Sequence, residues 1–310
     1  MERDYLQWSI EEFFRAAATW RRPLFMIPHQ DDELGTSGLI QRIGAKSRVI
    51  WVTNGDGLYF EMKVTPEEYG NLRMKESVNA VGSLGIAAEN TRCLAYSEVE
   101  IYRRMSLLQK DPACLKDHIN FWAAIREGVR QAVFAAEPDA VFTLAWQGGH
   151  PEHDLTHYFT RLAVDDYERE IGRPIPFFHM PAYEYTVLLA FRFNPFYRGP
   201  RLRFTLTRAE LEGKRGLAKR YPTQAAMMER FIKFLDRLCL LGRPFGAPKN
   251  GEEYLGVEHF GPVPPDLDYA KGTHFFNRAH YIFEDYEGIP ITFKRCIRPV
   301  VEAFPRKPFA

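Results

Sequence analysis

The stretch Pro28-His29-Gln30-Asp31-Asp32-Glu33-Leu34-Gly35 is the best guide to the fold of this chain. A short apolar run at 24–27 precedes it, and apolar residues at roughly helical spacing follow it at 34–43. A histidine and three acids therefore lie where a predicted strand passes into a predicted helix. Because ligands collect outside the carboxyl ends of the strands in an open parallel sheet, this turn can hold a metal ion. The alternative is that Asp31, Asp32 and Glu33 favour the first turn of a helix through its dipole.

His29 and Asp32 bring one imidazole and one carboxylate to this turn, and such a pair suits a divalent ion such as zinc. A third ligand must come from another part of the chain. The best source is the stretch Gly148-Gly149-His150-Pro151-Glu152-His153-Asp154-Leu155-Thr156-His157, which follows a second apolar run at 140–145.

Pro151 favours the first position of a helix because its φ is fixed. In such a helix His150, His153 and His157 project within about 60° of one another. The spacing alone leaves His153 and His157 equally good as the third ligand.

These residues resemble the motifs of a known family. PHQDDE at 28–33, followed by GHPEH at 149–153, is similar to the paired signatures of the LmbE-like (PIG-L) metal-dependent de-N-acetylases. Further matches are the glycine-rich loop Thr53-Asn54-Gly55-Asp56-Gly57, the helix pattern of Arg73, Glu76, Ala80, Leu84 and Gly85, and a weaker echo at Lys214 and Tyr221-Pro222-Thr223-Gln224. Because these signatures occur together and in the order of the family, they are more specific for that family than any one of them.

The resemblance implies a hydrolase that removes an N-acyl group, with N-acetyl favoured, from an amino sugar or a sugar-containing small metabolite. It implies one zinc per chain, with Fe²⁺ as another candidate ion, held by His29, Asp32 and His153. It also implies Asp31 as the general base, and His150 as the group that stabilises the oxyanion or protonates the leaving amine.

Two further residues are then expected to support the centre. His157 becomes a packed imidazole one turn beyond His153. Glu152 stands where the family commonly has Asp, so its longer side chain can change how His150 is held. Some family members carry a Tyr shortly before the second motif, where this chain has Trp146 and Gln147, so a tyrosine contribution is not transferred.

Arg73 and Asp56 are the predicted substrate-binding residues. A planar guanidinium suits the hydroxyl or acidic groups of a sugar-like molecule. The alternative for Arg73 is a surface ion pair with Glu76, three residues along a helix. The alternative for Asp56 is stabilisation of its glycine-flanked turn.

The alternation of strands and helices predicts an α/β fold, a Rossmann-like and mostly parallel sheet with helices on both faces. The predicted strands are 24–27, 48–52, 91–96, 140–145 and 177–180, and the predicted helices are 10–20, 66–84, 115–136, 154–170 and 223–241. We expect a catalytic core at 1–190. An irregular, aromatic-rich extension at 191–310, containing Phe275, Phe276 and Tyr281, is expected to complete the core and shape the substrate cleft.

The composition narrows the function classes. A net charge of +1 argues against nucleic-acid binding, and no apolar run is long enough for a membrane span. The start of the chain lacks a signal-peptide pattern, which indicates a cytoplasmic protein. The resemblance implies a small-molecule N-acylated substrate, and whether the chain forms a homo-oligomer is left open. The four cysteines show no C-x-x-C spacing.

Four alternatives are weighed against the hydrolysis of an N-acylated amino sugar. An Fe(II) oxygenase also uses two His and one carboxylate, but the strand and helix pattern differs from the usual β-barrel. A nucleotide-binding module lacks its glycine-rich signature after the first strand. A non-catalytic carbohydrate-binding relative would not need Asp31 and His150, and an amidase acting on a larger, non-sugar compound would use the same site.

Overall fold

The core of the fold is a seven-stranded sheet in a computed structural model that describes residues 3–182, 190–193, 197–245, 247–271, 281 and 285–309. Its strands are β1 Pro23–Ile27, β2 Arg48–Thr53, β3 Thr91–Tyr96, β4 Ala140–Leu144, β5 Phe177–Met180, β6 Leu202–Thr205 and β7 Val257–Pro262. Their order across the sheet is β3-β2-β1-β4-β5-β7-β6. The five amino-terminal strands pair in parallel, which confirms the predicted Rossmann-like sheet.

The two predicted site turns follow neighbouring strands. Strand β1 pairs in parallel with β4, with Met26 opposite Thr143. The turn at 28–35 leaves the carboxyl end of β1, and the turn at 145–150 leaves the carboxyl end of β4. Because the strands run in the same direction, both turns lie at the same edge of the sheet, where ligands bind in α/β folds.

Helices cover both faces of this sheet. They are α1 Ile10–Thr19, α2 Ser37–Ile43, α3 Tyr59–Met62, α4 Pro66–Gly82, α5 Glu98–Lys110, α6 Leu115–Ala136, α7 Pro151–Ile171, α8 Arg208–Ala218, α9 Ala225–Gly242, α10 Gly251–Leu255 and α11 Arg298–Ala303. Alternate residues of β1 face opposite layers, as strand geometry requires. Phe25 and Ile27 pack with α1 and α2, whereas Leu24 and Met26 pack with α6 and α7.

The extension adds two antiparallel strands to the sheet. Strand β7 pairs with β5, and β6 pairs with β7 at the edge. Residues before and after 190 therefore share one sheet. Sequence analysis missed β6 and β7 because they are short, and it missed α8 because α8 is highly charged, although Thr207 and Glu210 form a capping box at its start.

The remainder of the extension packs against the core. A short hairpin of β8 Asp285–Tyr286 and β9 Ile289–Pro290 follows, and Tyr281 is fully buried, as expected of an aromatic that packs on the sheet. Phe275 and Phe276 lie outside the described residues. None of the helices in the described ranges is long and apolar enough to cross a membrane.

Candidate metal centre and active site

The first site turn is held in an unusual backbone conformation. Asp31 has a φ of 87°, in the left-handed region that Asp and Asn enter more readily than most residues. The carboxylate of Asp32 accepts the backbone N–H of His29 at 3.0 Å, which closes the turn. Gln30 Nε2 donates to the backbone oxygen of Thr53 at 3.0 Å, so the turn is also fixed to the end of β2.

The second site turn is organised by Asp154, which directly follows His153 in the chain. Asp154 Oδ1 accepts the backbone N–H groups of Gln147 and Gly148, both at 3.1 Å, and its Oδ2 accepts the hydroxyl of Tyr281 at 2.7 Å. Pro151 is the first residue of α7, as predicted, and His150 precedes it with extended backbone angles. This places His150 at the rim of the site and His153 inside the first turn of the helix.

The two turns bring three potential ligand atoms together. Asp32 Oδ2 lies 2.9 Å from His29 Nδ1 and 3.3 Å from His153 Nε2, and the two nitrogens are 3.1 Å apart. All three side chains are buried. A tetrahedral zinc site with bonds of about 2.0–2.1 Å has ligand atoms about 3.3–3.4 Å apart, so the observed spacing needs only a slight expansion to fit.

The electrostatics of the cluster favour a cation. Burial alone would lower the pKa of His29, but the carboxylates of Glu98, Asp32 and Glu152 outweigh it and raise that pKa well above its usual range. Burial alone would raise the pKa of Asp32, yet His153 and His29 hold it well below its usual value. The carboxylate is therefore ionised and the surroundings of His29 are rich in negative charge, which a divalent ion would balance.

His157 is not part of the cluster. Its Nδ1 donates to the backbone oxygen of Leu144 at 2.7 Å, and its Nε2 accepts the hydroxyl of Tyr269 at 2.9 Å. Burial lowers the pKa of His157 to about 3, so the imidazole is neutral. Both ring nitrogens are occupied by protein groups, as expected of a packed imidazole.

Asp31 faces the same space from beside the ligand atoms. Arg73 Nη2 lies 3.1 Å from its Oδ2 and also donates to the backbone oxygen of Gln30. Burial raises the pKa of Asp31 against the opposing effect of Arg73. A carboxylate with a raised pKa is a stronger base and suits the acceptance of a proton.

Arg73 itself is buried, with only 3% of the residue exposed. Its Nη1 lies 3.3 Å from Thr223 Oγ1 and 3.9 Å from Glu76 Oε2. The alternative of a surface ion pair therefore does not describe Arg73, because its visible role is to fix the turn of Asp31. A contact with substrate stays a prediction.

Asp56 is buried and fully bonded to neighbouring protein groups. Its carboxylate accepts from Asn54 Nδ2 at 3.1 Å, Ser97 Oγ at 2.7 Å and the backbone N–H of Val99 at 3.0 Å. These bonds join the glycine-rich loop to the start of α5. They correspond to the turn-stabilising alternative, and a substrate contact by Asp56 stays a prediction.

Glu152 reaches between two imidazoles. Its Oε1 lies 2.8 Å from His29 Nε2 and 3.4 Å from His150 Nδ1. Burial would raise the pKa of Glu152, but the neighbouring His29 and the bonded His150 hold it well below its usual value. The longer side chain thus places one negative charge beside both a predicted metal ligand and the predicted acid.

Sequence analysis missed three acids that shape the site. Glu98 Oε1 lies 3.8 Å from His29 Nε2, and Asp154 orders the second turn as described above. Glu258 accepts the backbone N–H groups of Gly38 and Leu39 at 2.8 Å each and pairs with Lys214 at 2.9 Å, which anchors the start of α2. Asp154 could have been found from its place inside the second motif, but the other two act across long sequence separations.

Comparisons with known proteins find one family model and several solved structures that are similar to this chain. Residues 24–164 match the model of the PIG-L family, described as GlcNAc-PI de-N-acetylase. The match includes both site turns and all three potential ligands. No curated protein matches the chain.

Solved structures share the fold over most of their length. A deacetylase of teicoplanin biosynthesis is 19% identical with a TM-score of 0.55, covering 78% of this chain and 98% of its own. A deacetylase of the A40926 pseudoaglycone is 24% identical with a TM-score of 0.52, covering 79% and 97%. A zinc-inhibited form of teicoplanin deacetylase is 16% identical with a TM-score of 0.50, covering 78% and 98%. At these identities the likeness shows the common fold.

Proposed function

We propose that this chain is a zinc-dependent hydrolase that removes an N-acyl group from an amino sugar or a sugar-containing small metabolite. The favoured acyl group is acetyl. The match of residues 24–164 to the PIG-L family model supports this proposal. The observation that carries the proposal is the convergence of His29 Nδ1, Asp32 Oδ2 and His153 Nε2 within 3.3 Å of one another. Two His and one carboxylate leave a coordination position open, as in catalytic rather than structural zinc sites.

Held by His29, Asp32 and His153, a zinc ion would supply Lewis-acid chemistry at the amide carbonyl and would lower the pKa of a water molecule to about 7. Asp31 accepts the proton of the attacking water, and its raised pKa suits that task. Arg73 and the left-handed turn hold the Asp31 carboxylate in position. The carboxylate therefore needs little reorganisation during the reaction.

His150 acts on the other side of the reacting amide. It is a third exposed at the rim of the site, with Glu152 3.4 Å from its Nδ1. In this position His150 can stabilise the oxyanion and, as an imidazolium, protonate the leaving amine. An amide needs this proton because an amide anion is a very poor leaving group.

Equal release of acetate and primary amine tests the proposal. Chelated protein receives one equivalent of zinc rather than an excess, since a protein of the same fold has been solved in a zinc-inhibited form. A panel of N-acetylated amino sugars and glycosides should yield both products from at least one member, and chelation should abolish release. Hydrolysis of esters or peptides alone, or release that survives metal removal, would refute the proposed function.

A further inference from the structure

A large apolar cavity opens directly onto the two site turns. It has a volume of about 660 Å³, which lies in the range of pockets that enclose drug-sized ligands. Asp31, Asp32, Gly149 and His150 form its catalytic end. Most other lining side chains are apolar and come from α8, α9 and the segments beside them, among them Leu211, Ala218, Met228, Phe231, Ile232 and Leu255.

Helix α9 contributes more apolar surface than the fold buries. Its buried residues are Leu235 and Cys239. Met227, Met228 and Phe231 line the cavity and stay partly exposed, and Ile232 is 41% exposed. An apolar ligand that covers these side chains removes their surface from water, which contributes favourable free energy to binding.

The cavity wall is tied to the catalytic machinery. Thr223, just before α9, donates from Oγ1 to Glu76 and accepts from Arg73, the residue that pairs with Asp31. On the opposite side, the ring of Phe191 lies so close to Gly35 that a Cβ there would be 2.6 Å from Cδ1 of the ring. These contacts connect both sides of the cavity to the residues that position Asp31.

The basic side chains of the cavity wall are engaged in ion pairs with acids of the wall or of neighbouring segments. Lys214 pairs with Glu258 at 2.9 Å, Arg215 pairs with Glu252, and Arg230 lies 3.5 Å from Glu61. A hydroxylated sugar placed deep in the cavity would leave its hydroxyl groups against apolar carbon, which costs free energy. A hydrocarbon group would not incur that cost.

From these observations we infer that the substrate carries a large apolar group close to the scissile amide, an alkyl chain of about six or more carbons or an aromatic group of similar size, and that this group lies between α8 and α9. The inference rests on the proposed function for the position of the amide. It assigns the catalytic end of the cavity to the amide and its polar neighbours, and the remainder to hydrocarbon. The group can belong to the acyl side or to the amine side of the amide.

Two series of substrates test the inference on zinc-loaded protein. One series is glucosamine N-acylated with acetyl, butanoyl, octanoyl or decanoyl groups, and the other is N-acetylglucosamine with methyl, butyl or octyl aglycones. In at least one series kcat/KM should rise, by up to about fourfold for each methylene that becomes buried. The series that rises identifies the side of the amide that enters the cavity.

A flat response in both series, with N-acetyl hydrolysis intact, would overturn the inference and leave the proposed function standing. If no amide is cleaved, the proposed function fails. Calorimetry with octyl N-acetylglucosaminide then tests separately whether the cavity binds an apolar group. Binding with a negative heat-capacity change would support an apolar subsite, and no binding would refute it.

A matched pair of variants on α9 locates the subsite. Ile232→Glu places a charge in the cavity wall and should lower kcat/KM for the favoured long-chain substrate at least tenfold. Leu241→Glu makes a comparable change on the same helix at a residue that is 73% exposed and outside the cavity lining, and it should leave kcat/KM unchanged. Equal effects of the two variants would contradict the assignment. If Ile232→Glu does not fold, Ala218→Phe, which fills the cavity, replaces it with the same expectation.

Discussion

Nδ1 of His29 lies 3.1 Å from Nε2 of His153, although the two residues are 124 positions apart in the chain. Their rings meet because β1 and β4 are parallel neighbours and each histidine follows the end of its strand. Two imidazole nitrogens at this distance, with the ionised Asp32 beside both, share a space suited to a cation. This relationship is the basis of the proposed metal centre.

Asp31→Asn should separate catalysis from metal binding. Asparagine has almost the same size and also tolerates the left-handed backbone of this position. Without a base, turnover should fall by about 10²–10⁴, while the metal content measured by elemental analysis should stay at the wild-type level. Asp117→Asn on the exposed side of α6 is the control and should keep full turnover. Near wild-type turnover of Asp31→Asn would rule out its role as the base.

Arg73→Gln should destabilise the protein and lower kcat together. The guanidinium is buried and holds both the Asp31 carboxylate and the backbone oxygen of Gln30, so its loss leaves buried acceptors unpaired. We expect a loss of about 3 kcal/mol in the free energy of unfolding, measured in urea. Arg130→Gln on α6 removes a partly exposed pair with Glu127 and should cost less than about 1 kcal/mol. A raised KM with unchanged stability would instead favour substrate contact by Arg73.

The neutral His157 should make stability depend on pH. Burial lowers its pKa from 6.5 to about 3 in the folded state. Between these pH values the unfolded chain binds a proton that the folded chain does not. The contribution of neutral His157 to the free energy of unfolding is therefore complete above pH 6.5 and declines as the pH falls toward 3. His157→Gln removes the titrating group. The difference in free energy of unfolding between wild type and variant should therefore narrow by about 1.4 kcal/mol per pH unit below 6.5. Urea unfolding at pH 7.5 and 5.5 measures it, and a gap that does not change with pH would contradict this account.

Much of the site could be predicted from the sequence because its signals are local. A buried strand followed by a turn rich in His and Asp predicts a ligand at the end of that strand, and two such turns predict one shared site when the strands are parallel neighbours. Pro151 also predicts the start of α7. The structure places His29, Asp32 and His153 together. The local signals leave His153 and His157 equally good as the third ligand, and only the family resemblance favours His153.

What could not be predicted depends on contacts between distant segments. Helical spacing puts His153 and His157 on one face, but His157 lies about 6 Å further along the axis, where it meets Leu144 and Tyr269 instead of the site. The burial of Arg73 depends on its partners near Asp31 and Thr223. Strand β7 forms because it pairs with β5 and with β6, and its sequence has no strong periodic pattern. Strand β6 pairs with β7 and does alternate buried and exposed residues, but over only four positions.

Metal content against activity in matched variants tests the central claim most directly. Wild type, His153→Ala and His157→Gln are chelated, given one equivalent of zinc, dialysed and analysed for bound metal and for amine release from the best N-acetylated substrate. The account predicts one zinc per chain with activity in wild type and in His157→Gln, and loss of most zinc and activity in His153→Ala. Zinc retained by His153→Ala but lost by His157→Gln would contradict it.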